Sequence, residues 1–198
     1  MKNLYVLRHG LTEYNKGKKF QGRANPPLIE EGLQQAQNLA GVFEDVPFES
    51  IYCSPLERAV QTATPLAESK NLKIRFNEKL IDRDLGGLTG KSYEDIDDVE
   101  LYLLNRGLEQ EVKGLESVED VHKRAQEFLE QIIETEEENS VVVTHSPIIQ
   151  SFCKIVFGNE PRQYNAQYVL IPGEFHYFEL NKDRTLIRFK LKATEAPE

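Results

Sequence analysis

The stretch that decides the fold is residues 141–147, Val-Val-Val-Thr-His-Ser-Pro, where a β-branched apolar run ends at polar residues. Three consecutive valines are typical of a strand that is buried on both faces of a sheet. Pro147 suits the first turn of a helix, and Ser146 before it is a favoured helix N-cap. The stretch therefore predicts a buried strand that turns into a helix directly after His145.

The rest of the chain alternates short apolar runs with segments of helical spacing. Further strands are predicted at residues 3–7, 50–53, 72–76, 168–171, 176–180 and 186–191. Helices are predicted at residues 30–43, after residue 54, from residue 117, and at residues 147–157. This alternation predicts an α/β three-layer sandwich, with helices on both faces of a mostly parallel central sheet. No repeat or linker interrupts it, so residues 1–198 are expected to form one domain with a flexible tail at 192–198.

Composition and charge exclude several classes of protein. Acidic residues outnumber basic ones 33 to 24, which is unfavourable for a nucleic-acid or anionic-membrane partner. No apolar run reaches the length of a membrane span, and the N-terminus does not resemble an export signal. Cys53 and Cys153 lie in apolar contexts and are predicted to be buried thiols. We therefore expect a cytoplasmic protein with no nucleic-acid or membrane partner.

Polar side chains follow three of the predicted strands. Arg8 and His9 follow the first strand, Arg58 comes shortly after the second, and His145 follows the valine strand. Ligands of such sheets bind outside the carboxyl ends of the strands, so these four side chains are expected to share one edge. Two arginines can bind a phosphate through paired hydrogen bonds. The cluster therefore indicates an anion site that contains two histidines.

The two Ser-Pro pairs, at residues 54–55 and 146–147, predict helix starts at the same edge. Ser54 and Ser146 are the predicted N-caps, and Glu57 would complete a capping box with Ser54. The free N–H groups of a helix start attract anions, which agrees with the anion site.

Four segments, in this order, resemble the motifs of the histidine phosphatase superfamily, the phosphoglycerate-mutase-like proteins. They are LRHGLTEYN at residues 7–15, SPLERAVQTA at 54–63, LIDRDLGGLTG at 80–90 and VTH at 143–145. The resemblance implies that His9 is a nucleophile that becomes a phosphohistidine, for which its imidazole must be neutral. It implies that Arg8, Arg58 and His145 hold the phosphate oxygens. Further substrate contacts are expected from Asn15, Gln21, Gly22 and Ser146.

The resemblance also implies a general acid that protonates the leaving oxygen. The family usually has a glutamate where this chain has Asp82, which is one methylene shorter. Asp82 is the first choice for the acid and Asp84 the second, and an ion pair with an arginine is a purely structural role for Asp82. Because cationic side chains hold the phosphate, neither a metal nor another cofactor is expected.

Two further departures from the family pattern concern the pocket. Pro147 lies where many members have glycine, so it offers no backbone N–H to a phosphate. The family often has an aromatic residue and an aspartate in the stretch at residues 23–28, which this chain lacks. Four basic residues here and just before would either contact a second anionic group or form a solvated loop. They are Lys16, Lys18, Lys19 and Arg23.

Only 54 residues, positions 91–144, separate the third motif from His145. Mutases of the family carry a longer insert there and a longer tail over the site, and a shorter cover lets water in. We therefore expect a phosphomonoester hydrolase of the histidine acid phosphatase type, acting on a small phosphorylated metabolite as a monomer or homodimer. A cofactor-dependent phosphoglycerate mutase is the alternative, and a catalytically weakened phosphate-binding module is the third interpretation.

Overall fold

A six-stranded sheet forms the centre of the protein, in a computed structural model that describes residues 1–96, 112–183 and 186–193. The strands are β1 (Lys2–Arg8), β2 (Ser50–Cys53), β3 (Ile74–Phe76), β4 (Asn139–Thr144), β5 (Phe175–Leu180) and β6 (Leu186–Ala193). Their order across the sheet is β3-β2-β4-β1-β5-β6. The pairs β1–β4, β2–β4 and β2–β3 are parallel, whereas β5 is antiparallel to both β1 and β6. The predicted mostly parallel sheet is confirmed.

Helices cover both faces of this sheet. They are α1 (Glu13–Lys16), α2 (Glu30–Val42), α3 (Glu57–Lys70), α4 (Val118–Ile133) and α5 (Ser146–Val156). Phe128 of α4 and Phe152 of α5 are buried against Val142 on one face. Ala63 of α3 packs with Val143 on the other face, in a cluster that also contains Leu39 of α2. Since alternate valines of β4 point into different layers, the valine run is buried on both sides, and the predicted three-layer α/β sandwich is confirmed.

The register of the parallel strands aligns three strand ends. Arg8 pairs with Thr144 between β1 and β4, and Cys53 pairs with Val143 between β2 and β4. The ladder extends one step further, because the amide of His9 donates to the carbonyl of Thr144 at 3.1 Å. The residues that follow β1, β2 and β4 therefore leave the sheet at nearly the same level.

Two predicted strands differ from the structure. The strand predicted at 168–171 is wrong: a 3-10 turn covers Ala166–Tyr168, and the chain then runs irregularly. Tyr168 and Leu170 are buried while the residues between and after them are more exposed, so the strand-like alternation comes from packing without a partner strand. The third strand begins at Ile74 rather than at residue 72.

The predicted flexible tail is partly wrong, because Lys192 and Ala193 belong to β6 and Ala193 is buried. Residues 194–198 lie outside the described residues. Cys53 and Cys153 are confirmed as buried free thiols. No helix in the described part of the chain is long and apolar enough to cross a membrane.

The predicted serine caps are also wrong. Helix α3 begins at Glu57 with Leu56 as its N-cap, and α5 begins at Ser146 with His145 as its N-cap. Ser54 lies too far before α3 to cap it or to form a capping box with Glu57. Its hydroxyl instead accepts a hydrogen bond from the amide of Leu56 at 3.3 Å and contacts His145.

The loop after His9 packs directly against α2. The closest approach is at Gly32, where an added Cβ would lie 2.2 Å from the carbonyl oxygen of Leu11. The amide of Ile29, just before α2, donates to that same oxygen at 3.0 Å. A side chain at position 32 would therefore push the helix away from the loop that carries His9.

We expect Gly32→Ala to lower the free energy of unfolding by about 1–3 kcal/mol, since overpacking against backbone forces the helix to shift. Gly41→Ala is the matched control in the same helix, because an added Cβ there meets no atom within 4 Å. Alanine at that position should raise stability by up to about 1 kcal/mol. Urea unfolding followed by circular dichroism measures both variants, and equal stability of the two would contradict the packing described here.

Candidate active site

Four of the predicted site residues lie together at the aligned strand ends. His9 follows β1, His145 follows β4, Arg58 lies in the first turn of α3, and Asp82 lies in the loop after β3. All four are buried, with His9 2% exposed and Arg58 and His145 fully enclosed. The sequence predicts that Arg8, His9, Arg58 and His145 share this edge, and the structure places His9, Arg58 and His145 there, with Arg8 as the last residue of β1.

One ring nitrogen of His9 forms a hydrogen bond with the backbone, and the other carries the lone pair. Its Nδ1 lies 2.7 Å from the carbonyl oxygen of Gly10, which can only accept, so Nδ1 carries the proton. In the neutral ring the lone pair is therefore on Nε2. Burial lowers the pKa of His9 well below its usual value, and the charges of Arg58 and Arg8 lower it further. His9 is therefore a neutral imidazole at neutral pH, as a nucleophile requires.

The ring of His145 is tilted by 50° relative to the ring of His9, with 5.1 Å between the ring centroids. Its Nε2 is 2.7 Å from the hydroxyl oxygen of Ser54. Its Nδ1 is buried without a hydrogen-bond partner among the described residues and lies 3.6 Å from Oδ2 of Asp82. Burial lowers the pKa of His145 well below the usual value, with the charge of Arg58 as the next cause. A buried unpartnered ring nitrogen is costly, so this atom is available to a ligand.

The two arginines are held by backbone carbonyls. Nη1 of Arg8 donates to Leu170 at 2.7 Å, and Arg58 donates to Ala24 at 2.7 Å and to Gly22 at 2.8 Å. The Nε–H group of each guanidinium is buried without a partner in the described part of the chain. Both side chains are therefore fixed in place while keeping a donor for an anion.

Asp82 and Asp84 lie in different surroundings. Oδ2 of Asp82 accepts from Nη2 of Arg58 at 2.9 Å, and its Oδ1 accepts from the amide of Arg83 at 2.8 Å. Burial raises the pKa of Asp82 above its usual value, although Arg58 opposes that shift. Asp84 is 42% exposed, caps the turn at Gly86 and pairs with Arg23 at 3.7 Å. Of these two carboxylates, Asp82 therefore lies beside His145 and Arg58, and Asp84 lies at the surface.

Two of the four predicted substrate-binding residues, Asn15 and Gln21, are linked through Thr12. Its hydroxyl lies 3.0 Å from Oδ1 of Asn15 and 2.9 Å from Oε1 of Gln21. Gly22 has a positive φ of 50° and holds Arg58 through its carbonyl, so a larger residue there would be strained. Ser146 is partly buried, and its hydroxyl accepts from Gln150 of the same helix at 3.2 Å.

The basic loop does not line the site as one group. Lys16 is exposed and pairs with Glu31 at 3.0 Å, and Lys18 and Lys19 are also exposed. The guanidinium of Arg23 lies 3.3 Å from a carboxylate oxygen of Glu116. The lysines therefore form a solvated loop, which was one of the two predicted alternatives.

Sequence reasoning missed Arg124, which holds the backbone of the Asp82 loop. From α4 it donates to the carbonyls of Lys79, Ile81 and Asp82 at 2.8, 2.5 and 3.2 Å. Glu116 accepts from it at 2.8 and 3.0 Å. A signal was present in the sequence, because position 124 lies between the buried apolar positions of α4, where a charge is unusual.

Comparison with known proteins shows the family and the fold of the chain. The histidine phosphatase superfamily (branch 1) matches residues 4–189. Phosphoserine phosphatase 1 of Hydrogenobacter thermophilus is 32% identical over 162 residues, which are 79% of this chain and 77% of the relative.

Two solved structures have the same fold. The alpha-ribazole phosphatase from Shigella flexneri aligns with a TM-score of 0.86 at 22% identity, over 99% of this chain and 98% of that one. A mycobacterial glucosyl-3-phosphoglycerate phosphatase, in complex with VO3, aligns with a TM-score of 0.85 at 25% identity over the full length of both chains. With its motifs, fold and paired histidines in agreement, the chain belongs to the histidine phosphatase superfamily.

Proposed function

We propose that the protein is a phosphomonoester hydrolase of the histidine acid phosphatase type, with Nε2 of His9 as the nucleophile. One observation carries the proposal: a neutral imidazole, fixed through Nδ1, lies in an enclosed site beside two arginines. The substrate is a small phosphorylated metabolite. The named activities of the relatives support hydrolysis over a mutase reaction, since the relatives described above are phosphatases.

In the first step, Nε2 of His9 attacks phosphorus as the ester P–O bond breaks. The leaving oxygen takes the proton of the Asp82 carboxylic acid; burial raises the pKa of Asp82, although Arg58 opposes that shift. The Nε–H groups of Arg8 and Arg58, together with His145, stabilise the charge on the three remaining phosphate oxygens. The products of this step are a free alcohol, an Asp82 carboxylate and phospho-His9.

In the second step, water attacks phospho-His9 and the N–P bond breaks. The Asp82 carboxylate accepts a proton from that water, which restores the acid and releases inorganic phosphate. All protons and electron pairs balance on groups of this chain and on water. The side chains themselves supply the positive charge, so the proposed reaction is independent of a metal ion or another cofactor.

The residues around Thr12 have a supporting role in this proposal. Asn15 and Gln21 offer neutral amide donors to the phosphate, and Gly22 fixes Arg58 through its carbonyl. Ser146 offers its backbone N–H and hydroxyl at the start of α5, where the helix dipole favours an anion. Pro147 has no N–H, so Ser146 is the contact from this turn.

The wider setting follows from the same features. The sheet unites strands from both halves of the sequence, which supports one domain over residues 1–198. The buried free thiols Cys53 and Cys153 support a reducing, cytoplasmic location. A monomer or homodimer suits a site built from one chain.

Phosphate release from a panel of phosphomonoesters tests the proposal. The panel includes phosphoserine, phosphoglycerate and p-nitrophenyl phosphate, with EDTA present throughout. Wild type should release phosphate at an unchanged rate in EDTA. In His9→Ala the rate of phosphate release should fall at least about a thousandfold, the scale for removal of a nucleophile. Activity of His9→Ala within tenfold of wild type would refute the nucleophile, and loss of wild-type activity in EDTA would refute independence from metal.

A leaving-group series tests the general acid. Asp82→Asn should slow the hydrolysis of alkyl phosphates by about 10²–10⁴-fold. The attack step on p-nitrophenyl phosphate should slow much less, because its leaving oxygen needs no proton. Asp84→Asn is the matched control two residues away and should keep both rates within a few fold. Equal losses of Asp82→Asn on both substrates in single-turnover measurements of the attack step, or a larger loss in Asp84→Asn, would contradict the assignment.

A further inference from the structure

Ser54 has a hydroxyl that the proposed steps do not use, although it lies against one of the two histidines. The residue directly follows β2 and is fully buried. Its amide donates to the carbonyl of Val143 at 3.0 Å, and its own carbonyl accepts from the thiol of Cys53 at 3.1 Å. Its Oγ lies 2.7 Å from Nε2 of His145. The end of the sheet therefore holds this hydroxyl at the edge of the imidazole ring.

The direction of this hydrogen bond follows from the second partner of the hydroxyl. A serine hydroxyl has one proton to donate and two lone pairs that accept. The amide of Leu56 donates to Oγ of Ser54 at 3.3 Å, so that contact uses a lone pair. In the part of the chain that the structure describes, no carbonyl or carboxylate accepts from this hydroxyl, which leaves Nε2 of His145 for its proton. The hydroxyl therefore donates, and Nε2 accepts.

The opposite direction would be costly. If Nε2 carried the proton, Oγ of Ser54 would accept from both Leu56 and His145, and its own buried proton would have no acceptor among the described residues. Nδ1 of His145 would then present a lone pair to Oδ2 of Asp82, 3.6 Å away. That oxygen also accepts from Arg58, so two electron-rich atoms would face each other where repulsion is weakly screened. A proton on Nδ1 avoids both costs.

The ring of His145 carries one proton rather than two. Burial lowers its pKa well below the usual value, and the charges of Arg58 and His9 are the next causes. In a neutral imidazole whose Nε2 accepts, the proton is on Nδ1. Nδ1 is buried, and it has no hydrogen-bond partner in the described ranges. His145 therefore keeps a donor that lacks an acceptor, on the side of the ring where Asp82 lies.

We propose that Ser54 is a positioning residue that fixes His145 in the Nδ1–H tautomer, so that Nδ1 donates a hydrogen bond to a phosphate oxygen of the substrate. The inference rests on the proposed phosphatase function and deepens it, because it names the atom through which His145 acts. His145 then stabilises the phosphate as a neutral donor that neither gains nor loses a proton during the reaction. Ser54 itself touches neither the substrate nor the reacting atoms.

The two histidines then differ in the atom that each offers to the phosphate. Both carry their proton on Nδ1, but the neighbours that fix it are different. In His9 the carbonyl of Gly10 uses the proton, which leaves the lone pair of Nε2 for phosphorus. In His145 the hydroxyl of Ser54 uses the lone pair, which leaves the proton of Nδ1 for an oxygen. His9 is thus equipped to attack and His145 to bind.

NMR spectra of protein labelled with ¹⁵N-histidine measure this tautomer directly. Long-range spectra that connect the ring nitrogens with the carbon-bound ring protons distinguish a protonated nitrogen from an unprotonated one. The chain has four histidines, and His145→Gln identifies the signals of His145 by their loss. At pH 7 wild type should show Nδ1 of His145 protonated and Nε2 unprotonated, and inorganic phosphate should shift the Nδ1 proton. A proton on Nε2, alone or together with one on Nδ1, would overturn the inference.

Ser54→Ala removes the hydroxyl and leaves Nε2 of His145 without a donor. The Nε2–H form should then become detectable, and kcat/KM should fall about 5- to 50-fold, the scale for a buried acceptor that loses its partner. The loss should be the same for alkyl phosphates and for p-nitrophenyl phosphate, because His145 binds oxygens that do not leave.

Ser50→Ala is the matched control. Ser50 begins β2 and is also buried, but its hydroxyl lies 2.8 Å from that of Ser140, away from the histidines. This variant should keep the single tautomer of His145 and a kcat/KM within twofold of wild type. Thermal unfolding establishes that each variant is folded, and the tautomer of the wild-type protein tests the inference without either serine variant.

The outcomes separate this inference from the function on which it rests. If wild type hydrolysed the esters with His145 protonated on Nε2, the inference would be overturned and the phosphatase would stand. An unchanged tautomer and unchanged rates in Ser54→Ala, or a loss confined to alkyl phosphates, would overturn the role of Ser54. If wild type hydrolysed no ester while phosphate shifted the Nδ1 proton, the proposed function would fail and His145 would remain a phosphate-binding residue held by Ser54.

Discussion

The buried guanidinium of Arg58 is the group on which the site depends. It is fully enclosed, and it ties the start of α3 to the loop at residues 22–24 and to the carboxylate of Asp82 through three hydrogen bonds at 2.7–2.9 Å. Burying a charge without a partner costs folding free energy. The folded site therefore needs the carbonyls and the carboxylate that surround this guanidinium. The same charge lowers the pKa of both His9 and His145. One residue therefore holds the geometry and adds to the effect of burial, which keeps the two imidazoles neutral.

The balance of charge in this enclosure favours an anion. Arg8 and Arg58 bring two positive charges, and Asp82 is the carboxylate that the described residues place with them. Each arginine retains an unpartnered Nε–H, and His145 an unpartnered Nδ1. Leaving such groups without partners costs about 1–3 kcal/mol each. The free site is thus preorganised at a cost in folding stability. A phosphate that forms hydrogen bonds with all three groups would regain that free energy.

Much of this arrangement could be predicted from the sequence, because the strands are short, apolar and followed directly by polar residues. The run Val141–Val143 and the residues after it indicated the sheet, its buried faces and the edge where His9 and His145 meet. The predictions that were wrong concerned residues whose role is set by tertiary contacts. Ser54 looks like a helix cap, but its hydroxyl contacts His145, and the alternation at residues 168–171 reflects packing rather than pairing. Arg124 lies outside every motif, so its hold on the Asp82 loop appears only once α4 is placed beside that loop.

The central claim is that His9 carries the phosphoryl group, and direct detection of that adduct tests it most sharply. The Asp82→Asn variant mixed with p-nitrophenyl phosphate should accumulate the intermediate, since attack proceeds while the base for the second step is missing. After an alkaline quench, peptide mass spectrometry should find one phosphoryl group on the peptide that contains His9, labile to acid, and none in the same variant with His9→Ala added. A phosphoryl group on any other residue, or phosphate release with no adduct at any time after mixing, would contradict the account.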